Sequence, residues 1–170
     1  MQRTTVLTAA AAGIAASVLM TLLQAPARGH CEIPCGIYGD HARIQQMLED
    51  VTTIAKAVTD MNALAGKSDV LSINQITRWT MNKEEHATAI QHTIAQYFLT
   101  QRVKAARQGT PGWNDYVMKL VQLHAVLVAA MKTKQTVDPA AVDELRAAVE
   151  AIAVYYPAET PAQPAPPPGK

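Results

Sequence analysis

The chain has 170 residues, of which 49% are hydrophobic and only 5% aromatic. That length can bury one core of ordinary size, and the shortage of strand-favouring aromatics leans the composition towards helix. From His30 onward there are 13 Lys and Arg against 14 Asp and Glu, a balance that excludes an electrostatic claim on nucleic acid.

Residues 1–29 read as a cleaved leader. Arg3 supplies a weak positive start, Val6 to Leu23 is an uncharged apolar run, and Gln24 to Gly29 contains the small residues a leader peptidase needs. Two cuts satisfy a small-x-small rule. A cut after Ala27 leaves Arg28 first; a cut after Gly29 leaves His30 first, and it alone explains why a His-Cys pair follows at once. The competing reading is a retained membrane anchor, since about 18 apolar residues is the lower limit for a span, although several Ala, Thr and Ser residues make a poor lipid-facing helix. The expectation is an exported protein, periplasmic or extracellular, with no stable membrane association after processing.

Residues 30–38, His-Cys-Glu-Ile-Pro-Cys-Gly-Ile-Tyr, hold both cysteines and one of the five histidines. Thiolate and imidazole suit late first-row metals. Spacing by itself leaves three uses open. The first is a local disulfide between Cys31 and Cys35, in keeping with an oxidising compartment but closing a loop too short to remove much unfolded-state entropy. The second is a tetrahedral zinc site, for which no i, i+4 histidine pair on one helix supplies further ligands. The third requires His30 to be the first residue. One segment then offers an α-amine, an imidazole, the Cys31 amide nitrogen and two thiolates, and the five-membered chelate ring of amine and amide suits Ni(II) or Cu(II). Pro34 stiffens the loop between the cysteines and Gly36 lets the chain turn behind Cys35.

Four helices follow. Asp40 is placed to cap the first, whose apolar residues run from Ile44 through Met47, Leu48, Val51, Ile54, Val58 and Met61 to Leu64 and stop at Gly66. Ser72 with Gln75 reads as a capping box for the second, and Leu71 with Ile76 as its hydrophobic staple. That helix is expected to run to about Ala106, with Ile76, Trp79, Ala87, Ile90, Ile94, Tyr97 and Phe98 inward. Its polar middle, Asn82 to His86, is expected to bend it or to face a partner subunit. Gln108 to Gly112 is a break. The third helix carries Trp113, Tyr116, Val117, Leu120, Leu123, Leu127, Val128 and Met131. The fourth starts at Asp138-Pro139, cap followed by first-turn proline, and presents Val142, Leu145, Val149, Ile152 and Tyr156. Residues 157–170 are proline-rich and expected to be disordered. The expected fold is all-α, an up-down-up-down four-helix bundle over 39–156 with an N-terminal metal-binding hook over 30–38.

The motif His-Cys-x-x-Pro-Cys-Gly-x-Tyr at a processed N-terminus resembles the hook of the nickel-containing superoxide dismutases. All six fixed residues are present as His30, Cys31, Pro34, Cys35, Gly36 and Tyr38, and the likeness continues through Ala42-Arg43-Ile44, Lys83-Glu84 and Tyr97-Phe98. The resemblance implies a homohexamer of four-helix bundles, one nickel ion per subunit, and disproportionation of superoxide to oxygen and hydrogen peroxide with nickel alternating between Ni(II) and Ni(III). It makes His30, Cys31 and Cys35 the metal ligands, His30 axial to the oxidised ion, and Tyr38 the residue that positions the anion and supplies protons. Two positions depart from the family. Gln45 stands where a glutamate orients the hook histidine, and His86 aligns with an arginine that contacts the same imidazole. An amide brings no charge, so the histidine would be less basic. The alternative from a different class is a secreted helical bundle that binds nickel or copper without turnover.

Overall fold

A computed structural model describes residues 36–158. Four α-helices account for most of them: α1 Asp40–Ala63, α2 Val70–His92, α3 Trp113–Gln135 and α4 Pro139–Ala153. Between α2 and α3 the second helix runs on as a π-helical segment, Thr93–Arg102. Packing joins α1 to α2, α2 to α3, α3 to α4 and α4 back to α1. Each helix therefore lies beside its neighbours in sequence and the ring closes, the arrangement of an up-down-up-down four-helix bundle.

One apolar stripe per helix builds the core. Ile44, Met47, Val51, Ile54, Val58 and Met61 come from α1, Ala87 and Ile90 from α2, Leu123, Val126, Ala129 and Ala130 from α3, and Val142, Leu145, Val149 and Ile152 from α4. The stripe predicted for α4 is the one observed. On α3 the buried line is turned from the expected one: Val126 and Thr133 are buried, whereas Met131 is 43% exposed.

The helix starts divide into one as expected and two that differ. Asp138 accepts the Ala140 N–H at 2.9 Å with Pro139 behind it, as the dipeptide predicted. For α2 the cap is Asp69, not Ser72. Asp69 accepts both the Ser72 N–H and the Ser72 hydroxyl, at 3.0 and 2.6 Å, and Leu71 is 67% exposed. An aspartate one turn earlier outcompetes the serine because its two oxygens take one Ser72 donor each; those bonds hold its carboxyl below the usual range. For α1 the cap position is Gly39, and Asp40 is the first helical residue with no capping bond; its carboxylate is engaged elsewhere.

The polar middle of α2 has a different role from the predicted bend. Lys83 is buried, and its ammonium reaches across to the carbonyl oxygens of Thr133, Lys134 and Thr136 at the end of α3. The last carbonyls of a helix have no partner within it and carry the negative end of the helix dipole, so a cation there satisfies both. The helix changes its winding ten residues later, at Thr93.

Candidate metal centre and its anchor

Of the predicted hook, His30, Cys31, Pro34 and Cys35 lie outside the described residues. The described chain begins at Gly36, which takes φ +81°, a left-handed value that favours glycine. It leads to Tyr38, half-buried against the end of the bundle where α1 begins.

Tyr38 rests on two side chains delivered by the π-helical segment. The Arg102 guanidinium carbon lies 4.1 Å from the centre of its ring, and the Tyr97 ring meets it edge-on with centroids 6.0 Å apart and planes at 75°. The stack continues inward through Phe98, fully buried and 5.0 Å from Tyr97, to Tyr156 at 4.6 Å. Aromatic contacts thus run without a gap from the hook-side tyrosine into the core.

Asp40 organises this corner. Its carboxylate accepts Arg102 Nε at 2.8 Å and Arg102 Nη2 at 2.7 Å, a fork-to-carboxylate pair, and the Tyr97 hydroxyl at 2.6 Å. That hydroxyl in turn accepts the Gly39 N–H at 3.0 Å, so it ties down the backbone residue next to Tyr38. The Asp40 hydrogen bonds lift the Arg102 pKa above its ordinary value. Burial first, then the bond to Asp40, pushes the Tyr97 phenol up to about 12. At neutral pH the corner therefore sets a charged guanidinium beside an uncharged phenol, both bonded to Asp40.

Gln45 is exposed on α1. His86, on α2, places Nδ1 2.8 Å from Asp50 Oδ1 of α1. Asp50 is about 15 Å along the helix from Asp40, and the structure pairs His86 with this carboxylate rather than with Gln45. Sequence reading singled out neither Asp50 nor Arg102 and gave Asp40 a capping role. The only available signal was the acid at the helix start, since a residue five positions beyond Tyr97 falls on no α-helical stripe.

Among the described residues no three His, Cys, Asp or Glu side chains gather to hold an ion. Residues 30–35, outside the described residues, carry two thiols and an imidazole that suit nickel by their donor chemistry, and three positions after Cys35 comes Tyr38, fixed by Arg102, Tyr97 and Asp40. Neither the curated proteins nor the solved structures yielded a match. The family model described as nickel-containing superoxide dismutase matches residues 25–160, a span that takes in the hook and all four helices. The chain belongs to the nickel-containing superoxide dismutase family.

Proposed function

We propose that this chain disproportionates superoxide at a nickel ion held by its own processed N-terminus, one ion per subunit. The observation that carries the reading is the anchored Tyr38: three positions after Cys35, the chain leaves the hook through a phenol fixed at the end of the bundle. His30, through its amine and imidazole, Cys31, through its amide nitrogen and thiolate, and Cys35, through its thiolate, would hold the metal. Bound nickel supplies one-electron oxidation and reduction, alternating between Ni(II) and Ni(III).

The rest belongs to the protein. Two superoxide anions and two protons give one dioxygen and one hydrogen peroxide, so the site must bind a small anion and deliver protons. Tyr38 orients the anion through its hydroxyl and passes the protons on. Gln45 tunes the His30 imidazole without the charge a glutamate brings, whereas His86 is engaged by Asp50. A leader peptidase cutting after Gly29 frees the hook, the mature protein works outside the cytoplasm, and six subunits assemble.

The decisive experiment is metal content and dismutation measured on protein whose first residue is verified as His30 by intact mass. Nickel-dependent activity is the expected result. Tight nickel or copper uptake with negligible turnover would assign the chain to metal sequestration instead.

A further inference from the structure

The π-helical segment is the feature the fold does not need. Wide i→i+5 winding is rare, and where it occurs it is concentrated at functional sites. Here it extends over ten residues, and side chains follow the same spacing: the Thr100 hydroxyl donates to Ala95 O and the Gln101 amide to Gln96 O. The Val103 N–H, donating to Phe98 O, closes the last wide turn.

The winding decides which side chains share a face. Along an α-helix, five residues turn the direction by about 140°, so Tyr97 and Arg102 would point to different neighbours. With i→i+5 winding they return to one face, and both meet the same atom: Tyr97 Oη and Arg102 Nε lie 2.6 and 2.8 Å from Asp40 Oδ1. With the Nε and Nη2 donors of one edge both on Asp40, Arg102 has its plane fixed, and its guanidinium carbon lies over the ring of Tyr38 at 4.1 Å. A guanidinium oriented by a carboxylate is a rigid platform; a free arginine would sample many rotamers.

We infer that Arg102 is a positioning residue for Tyr38, set in place by Asp40 and by the π-helical winding of Thr93–Arg102. It acts through the tyrosine ring and not on the substrate. Its effect on turnover rests on the dismutase reading, whereas its effect on Tyr38 does not.

The test uses the processed full chain with ¹³C-labelled tyrosine, the Tyr38 ring resonance being assigned from a Tyr38→Phe variant. In metal-free protein, Arg102→Ala and Asp40→Asn are expected to shift and broaden the Tyr38 resonance, and Arg102→Lys, which keeps the charge and loses the fork, to restore it only in part. Lys83→Met is the control, since it loosens the bundle at Thr133–Thr136, away from Tyr38. In nickel-loaded protein Arg102→Ala is expected to lower kcat/KM about tenfold with nickel content unchanged. An unmoved Tyr38 resonance in Arg102→Ala, or an equal shift in Lys83→Met, overturns the inference. Should Arg102→Ala fail to fold by circular dichroism, Arg102→Lys and Asp40→Asn decide by the same criterion. Wild type without nickel-dependent dismutation but with a Tyr38 shift in the variants removes the catalytic reading and leaves the positioning role standing. The reverse pattern removes only the positioning role.

Discussion

The Tyr97 hydroxyl donates to Asp40 at 2.6 Å while accepting the Gly39 N–H at 3.0 Å, joining the end of the second helix to the start of the first. Tyr97→Phe keeps the ring and removes both bonds. Because the side chain is buried and both lost partners are polar, we expect a loss of about 1–3 kcal/mol in unfolding free energy. Urea denaturation of the metal-free protein checks it; a loss within a few tenths would mean water replaces the hydroxyl at no penalty.

Removing the Lys83 ammonium strands three carbonyls at the end of α3. Lys83→Met fits the apolar stem yet offers no donor, and the expected destabilisation is about 2 kcal/mol. The variant should retain nickel binding and dismutation below its unfolding temperature, because the contact lies away from Tyr38. Equal losses of stability and activity across matched temperatures would contradict that separation.

Alkaline pH should unfold the bundle through its buried phenols. Tyr97 and Tyr156 are both raised from 10.0 to about 12, in each case chiefly by burial. In that window the folded state keeps protons that the unfolded state has released. Their stabilisation is therefore complete below about pH 10 and is lost as pH climbs towards 12, each phenol adding a slope of about 1.4 kcal/mol per pH unit. Tyr156→Phe should flatten the pH dependence between 10 and 12 in denaturation measured at fixed ionic strength. An unchanged slope would mean that this phenol titrates normally.

Keeping Gly29 on the chain blocks the His30 amine while leaving both cysteines in place. Helical content by circular dichroism should be unchanged, because the core draws on residues from Ile44 onward. Nickel-dependent activity should fall by more than the roughly tenfold to hundredfold that outer partners of a metal ligand are worth. Full activity in the extended protein would remove the amine from the ligand set. His30→Ala, with its amine intact, reports separately on the imidazole.

The bundle was legible because its signals are local. Val142, Leu145, Val149 and Ile152 repeat at helical spacing on α4, Asp138-Pro139 marks its start, and Gln108 to Gly112 marks the break before α3. The hook motif is local as well: two thiols and an imidazole within six residues are a chemical pattern in the sequence, at positions outside the described residues. Propensity was weakest where two residues compete for one task. Asp69 displaced Ser72 as the cap of α2 by offering a second acceptor oxygen, and Asp40 left its capping role because a guanidinium and a phenol offered it stronger bonds.

Only tertiary structure could settle the last of these. Asp40 and Arg102 are 62 positions apart, and no spacing rule connects them; their pairing depends on helix ends meeting in space. The burial of Lys83 depends in the same way on where α3 stops. The π-helical winding has no periodic signature, since wide turns are stabilised by what they bring into contact and not by the residues that form them. Composition and spacing thus determined that this chain is a helical bundle preceded by a metal-suited His-Cys segment. The meeting of α1 with the end of α2 decided how Tyr38, the residue joining the two, is held.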